Sequence, residues 1–311
     1  MTAPAVTADT PRTTRRPAVQ RRGDRWAGVV EGYFRLHTAL VYTFLYIPII
    51  VVVVFAFNDT STATNRWGGF TLKWFDVALN DTVVQNSLRN SFLVAIPNAI
   101  LATTFGTMAA LGLQRVGKRL RLAFDTLTYM SVIVPEIVIA LSTLVLFATG
   151  FDALETFFGI KLNFSHATII AAHVLFNISL VLLLVRARLS GMDRSLVDAS
   201  ADLFATPWRT FRQITFPQLL PAIVAGFLLS FTFSFDDYVI TSFVSGPGSS
   251  TLPLFIFGQV KRGVTPETNA VATLILAFTL LLLFIGQFAL SWQARRVGRR
   301  SDGMAAVVTA R

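Results

Sequence analysis

Long apolar runs separated by short polar stretches organise this chain. A helix crosses about 30 Å of hydrocarbon with about 20 apolar residues. Six runs meet that length, at about residues 36–57, 90–113, 123–148, 166–187, 218–240 and 269–292. The pattern predicts an all-α, polytopic membrane protein with six transmembrane helices. The second, third and fifth runs contain internal Pro, Gly or acidic residues, which lipid tolerates only where neighbouring helices satisfy the released backbone groups. Between the first two runs, Phe70–Leu79 crowds its apolar residues onto one helical face, with Trp74 suited to the interface. A short helix lying on the outer membrane surface is expected there, the alternative being a loop with stray aromatics.

Composition agrees with the pattern. Of 311 residues, 53% are hydrophobic and 14% charged, against about 25% charged in a soluble domain. Mean hydropathy is +0.60. The net charge of +10 is a topology signal rather than a nucleic-acid footprint, because most Arg residues flank the apolar runs. The N-terminal tail, the loops after the second and fourth runs, and the C-terminal tail together hold 21 of the 27 Lys and Arg residues. The other three loops hold Arg66, Lys73, Arg89, Lys161, Lys261 and Arg262. The positive-inside rule then puts both termini in the cytoplasm. There is no cysteine, which excludes disulfides, Cys-ligated metal and thiol catalysis. His37, His166 and His173 lack the spacing of a metal site. The Thr-, Pro- and Arg-rich start is expected to be disordered, with no signal peptide and the first run an uncleaved anchor. The expected organisation is a basic tail (1–35), a six-helix domain (36–292) and a second basic tail (293–311).

The loop after the fourth run differs from the others. Leu196, Val197, Ser200, Leu203 and Phe204 fall near helical spacing. Asp193 is placed to cap that helix, and Pro207 to open a second short one. Two short amphipathic helices make a rigid knob for a soluble partner; a loop resting on lipid is the alternative. Asp198-Ala199-Ser200, three residues, Phe204, nine residues and Ile214-Thr215-Phe216-Pro217 follow. This segment resembles, with no gap, the E-A-A…G…I-x-L-P motif of binding-protein-dependent ABC transporter permeases. Phe204 at the Gly position is the main departure, since Gly permits backbone that Phe disfavours. Asn86-Ser87-Leu88, Val134-Pro135-Glu136, Val185-Arg186-Ala187-Arg188-Leu189 and the stretch from Ser234 to Pro253 are similar to the second permease subunit of spermidine/putrescine importers. The resemblance covers about residues 33–292. It implies a type I ABC importer permease fold and no catalysis. It also implies pairing with a second permease subunit, two ATPase subunits gripping the 190–217 loop through Asp198, Ala199, Ser200, Phe204, Ile214 and Pro217, and an external substrate-binding protein. ATP and Mg would sit on the ATPase, with no cofactor on this chain, in the bacterial inner membrane.

Charge at membrane depth marks a pathway or a partner contact. Asp236 and Asp237 lie in the outer half of the fifth run, among Phe231, Phe233, Phe235 and Tyr238. Carboxylates with aromatic faces suit a linear polyamine, whose ammonium groups are separated by methylenes. Adjacent helical residues point about 100° apart, so one Asp is expected on the pathway and the other against a neighbour, unless the pair merely ends the helix in water. Glu136 either adds charge to the pathway or satisfies backbone freed by Pro135. His173 and Asn177 share a helical face and are expected to make helix–helix hydrogen bonds. Gly112–Arg119 nearly spells a phosphate-binding loop, but it follows a membrane helix and lacks the final hydroxyl residue; it reads as a positive loop. Rival functions are an importer of the same class for another small solute and an ion-coupled secondary transporter. An intramembrane enzyme would need a Ser/His or metal-ligand cluster that the runs lack.

Overall fold

The computed structural model describes residues 24–60 and 66–309, with side chains described for Gly28 and for residues 30–60 and 66–288. The described chain divides into two units within its first helix, between Val51 and Val52. That helix, α1 (Asp24–Phe55), carries Pro48 and includes the apolar stretch Val30–Phe55. The expected disordered tail is corrected from Asp24 onward, where the chain is already helical; residues 1–23 of that tail lie outside the described residues.

In the second unit follow α2 (Lys73–Asn80), α3 (Thr82–Gly112), α4 (Lys118–Ile133), α5 (Glu136–Phe158) and α6 (His166–Ser190). Next come α7 (Ser195–Asp202), α8 (Pro207–Thr210), a π-helical turn (Phe211–Thr215), α9 (Phe216–Asp236) and α10 (Val239–Val244). The unit ends with α11 (Leu252–Arg262) and α12 (Pro266–Thr309). Six stretches are long and apolar enough to cross a membrane, and no β-strand occurs among the described residues.

Two boundaries differ from the expected runs for stated reasons. The third run breaks at Val134-Pro135, so the candidate span is Glu136–Phe158 rather than 123–148. Proline has no N–H to donate and drives the residue before it out of the helical region; Val134 sits at φ −63°, ψ 131°. The fifth run ends at Asp236 instead of continuing to 240, because Asp237 is extended (φ −67°, ψ 128°) and its side chain starts α10. The helix expected at Phe70–Leu79 forms as α2, with Trp74 Nε1 donating to the Asn58 carbonyl at 2.9 Å.

The centre of the unit is the packing of α3, α6 and α9. Lipid gives no hydrophobic drive for helices to associate, so close backbone approach through small residues has to supply the attraction. Ala95, Ala99, Ala102 and Ala110 of α3 are fully buried, and Gly106 lies against α6. A Cβ on Gly106 would stand 2.7 Å from Val181 Cβ and 3.0 Å from the Ile178 carbonyl oxygen. Gly106→Ala is therefore expected to push α3 off α6 and cost about 1–3 kcal/mol, read as a lower melting temperature in detergent; an unchanged melt would mean the helices yield freely.

At one end of this core, two motifs far apart in sequence meet. Asn90 Nδ2 donates to the Gly248 and Ser250 carbonyls, both at 2.9 Å, and its Oδ1 faces His166 Nε2 at 2.9 Å. Ser91 Oγ accepts from the Leu252 N–H, and Thr168 Oγ1 donates to the Val244 carbonyl. Gly246 lies so close to the Phe164 carbonyl that no side chain fits. These bonds hold α10 and the segment after it against α3 and α6, which fixes where α9 has to stop.

Candidate functional site

A cavity of about 560 Å³ opens beside the end of α9. Glu136, Phe233, Asp236, Asp237 and Tyr238, all named from the sequence, stand in its wall together with leucines of α9 and α12 and Gln287. No Lys, Arg or His is among its described lining residues. The size falls in the range of small-molecule sites, about 300–1,000 Å³.

The two neighbouring aspartates have opposite environments. Asp237 is buried, with its side chain 4% exposed. Its Oδ1 accepts from the Thr241 N–H at 2.8 Å and the Thr241 hydroxyl at 2.9 Å, and faces His173 Nε2 at 3.0 Å. Its Oδ2 accepts from the Ile240 N–H at 3.3 Å. His173, on α6, has its other nitrogen 2.7 Å from Ser234 Oγ. Asp237 is thus saturated by the elbow it forms, and it is the residue that ends α9. Asp236 is exposed on the cavity side and has no hydrogen-bond or ion-pair partner among the described residues. The break in the helix separates the two roles, which an unbroken helix would do only through its 100° step.

Glu136 is the first residue of α5, just after the Pro135 break, rather than a mid-span residue. It faces the cavity, and its carboxyl interacts with that of Asp237. Tyr238 packs against Phe257 of α11, ring centroids 4.0 Å apart and ring planes tilted by 30°. Phe233 is 47% exposed and meets Phe176 edge-on. Phe231 and Phe235 are corrected: they turn away from the cavity into a buried aromatic cluster with Phe92 and Phe278. One helical turn below His173, Asn177 Nδ2 donates to Asn98 Oδ1 at 3.3 Å, and Asn98 Nδ2 donates to the Ser230 carbonyl at 3.0 Å. The shared face of His173 and Asn177 therefore does join helices. Sequence reasoning missed the partnership of His173 with Asp237, 64 positions away, and also Phe257, which carries no charge or motif.

The loop after α6 holds its expected helices, α7 and α8. Asp193 Oδ1 accepts the Ser195 N–H at 2.9 Å. The Ser195 hydroxyl and N–H hold the Asp193 carboxyl below the usual carboxylate range. Thr206 caps α8 ahead of Pro207. Asp198 and Ala199 are exposed, whereas Ser200 is buried, its Oγ 2.9 Å from Thr210 Oγ1, which ties α7 to α8. Ile214 is half-buried in the π-helical turn and Pro217 sits in the first turn of α9. Phe204 ends α7 with φ 54°, the sole positive φ outside glycine among the described residues. The Ala205 N–H bonds to the Ser200 carbonyl and the Phe204 N–H to the Ala201 carbonyl, the Schellman closure in which that position is usually Gly. The departure noted in the sequence thus falls at the position where the backbone requires left-handed geometry. Gly112–Arg119 joins helix to helix, with Arg121 donating to the Leu113 and Gln114 carbonyls.

Residues 102–299 match the family model described as "Binding-protein-dependent transport system inner membrane component". The chain belongs to this family. The permease is 38% identical over 265 residues to the putrescine transport system permease protein PotI of Escherichia coli (strain K12), covering 85% of this chain and 92% of that one. It is 36% identical over 247 residues to the spermidine/putrescine transport system permease protein PotC of the same strain, covering 79% and 89%. Its fold matches a bacterial ABC transporter for import of the acidic polysaccharide alginate, with TM-score 0.69 and 14% identity over 89% of this chain and 99% of that one. It also matches a bacterial alginate ABC transporter in complex with an alginate pentasaccharide-bound periplasmic protein, with TM-score 0.67 and 14% identity over 89% of this chain and 98% of that one. The expected fold class and family are borne out: a multi-pass, helical transport subunit of the ABC importer type rather than an enzyme.

Proposed function

We propose that this permease moves a linear polyamine of the putrescine or spermidine type inward across the bacterial inner membrane. The observation that carries the reading is Asp236. It is a carboxylate without a partner among the described residues, presented to a mostly apolar cavity that has no described cationic wall residue. A charge held at membrane depth is costly and is retained where it meets a pathway or partner. Phe233 and Tyr238 add aromatic faces for the ammonium groups, and leucines suit the methylenes between them. The names of the two relatives point to the same solutes. Lys and Arg asymmetry supports cytoplasmic termini, with a basic tail at each end of the six-helix domain.

The partners follow from the family. A second permease subunit pairs with this one, an external binding protein delivers the solute, and two ATPase subunits grip the 190–217 loop through Asp198, Ala199, Ser200, Phe204, Ile214 and Pro217. ATP and Mg belong to those ATPases, and this chain binds no cofactor. Phe204 supports the docking role: it is 96% exposed, and left-handed backbone costs a non-Gly residue about 1–2 kcal/mol. No described residue covers the ring, so a partner surface is the fitting cover, with Leu203 and Trp208 exposed beside it. Phe204→Ala is expected to weaken ATPase binding by about 2 kcal/mol, the scale of an aromatic hot spot, or about 30-fold in a titration of solubilised permease with ATPase. Unchanged affinity would remove Phe204 from the interface.

Uptake of labelled putrescine into vesicles carrying the whole assembly tests the reading. Transport should require ATP and the binding protein, and spermidine should compete. Uptake that survives ATP depletion and collapses with the proton gradient would instead identify an ion-coupled carrier.

A further inference from the structure

One aromatic pair beside the cavity already holds an alkylammonium group. Lys261 Nζ stands 5.0 Å from the centroid of the Phe257 ring, inside the about 6 Å reach of a cation–π contact. Phe257 in turn packs against Tyr238, and Tyr238 lines the cavity that contains Asp236. Lys261 and Phe257 are one turn apart on α11, so the contact forms without rearranging the fold. Phe257 remains 39% exposed, and its ring is therefore accessible to a second cation if Lys261 swings away. The lysine side chain is four methylenes ending in an ammonium, the carbon chain of putrescine with one of its two ammonium groups.

We propose that Phe257, backed by Tyr238, is an alkylammonium station one ring removed from the acidic cavity, and that Lys261 occupies it until a cationic solute displaces it. The lysine is a tethered competitor. It shields the aromatic pair when no solute is present, and its charge discourages weakly held cations from passing toward Asp236. This inference rests on the cationic solute of the preceding section.

The absence of cysteine provides a test that does not require the native solute. Leu229 lines the cavity, and Leu229→Cys gives the chain a single thiol, whose modification can be followed in vesicles carrying the assembled transporter. The probes are two methanethiosulfonates, one bearing trimethylammonium and one bearing sulfonate. Lys261→Met is expected to speed the cationic reagent about two- to five-fold, the scale of an exposed cation–π contact. Phe257→Leu should slow the cationic reagent, Phe257→Trp should restore it, and the gain from Lys261→Met should vanish in the Phe257→Leu background. Equal gains from Lys261→Met in both backgrounds would show a plain charge effect and overturn the station. So would the absence of any gain. Because neither reagent is the transported solute, those outcomes would leave the putrescine uptake result standing, and a failure of putrescine uptake would leave the labelling rates interpretable.

Discussion

Asp236→Asn is expected to raise the KM for putrescine about 30-fold or more while the permease still reaches the membrane in normal amount. The size follows from removing one partner of a desolvated, hydrogen-bonded charge pair, which costs about 2–5 kcal/mol. Normal abundance follows from the geometry: Asp236 makes no bond within the described chain, so folding loses nothing when its charge goes. Asp236→Glu should recover most of the transport, since it returns the charge within reach of the same cavity. Labelled uptake at several concentrations, with immunodetection of the permease, separates the affinity effect from abundance. Wild-type uptake by Asp236→Asn would remove the residue from the pathway, and with it the observation on which the polyamine reading stands.

His173→Leu is expected to act in the opposite way, through stability. His173 Nε2 reaches the Asp237 carboxyl from another helix, and the two side chains are 1% and 4% exposed. Removing the ring leaves a buried carboxyl group short of one hydrogen-bond partner and costs about 1–3 kcal/mol, a large share of a typical folding free energy. The variant should accumulate poorly and melt early in detergent. His173→Gln, which can still donate to Asp237, should recover part of the loss. Combining His173→Leu with Asp237→Asn should cost less than the two single changes summed, because both remove the same contact. A strictly additive double variant would mean that the two residues do not act as a pair. Melting curves of the four proteins decide this without reference to any solute.

These two residues also show where the sequence was informative and where it was not. The six apolar runs, the helix at Lys73–Asn80 and the paired helices of the 190–217 loop follow from period and capping chemistry alone, which are local. Pro135 was visible as an interruption, yet its placement of Glu136 at a helix start depended on the chain actually breaking there. The end of α9 was less accessible. The apolar run itself does not stop at Asp236; the stop comes from Asp237, whose side chain accepts the nearby Ile240 and Thr241 N–H groups of α10 and also meets His173, on a helix far away in sequence. For the same reason Phe231 and Phe235 could not be told apart from Phe233 by composition, since their side of the helix is decided by Phe92 of α3 and Phe278 of α12.

The elbow at Asp237 has an electrical meaning that does not depend on any side chain. A helix that stops presents its final carbonyl oxygens, a partial charge of about −0.5, and α9 stops at the wall of the cavity. In transporters, the blunt carboxyl ends of interrupted helices serve as seats for positive ions. Peptide dipoles cannot be titrated or mutated away one at a time. The same wall also holds the first residues of α5 and α10, whose amide ends carry the opposite partial charge, so the backbone gives the cavity a mixed field that no side-chain substitution removes.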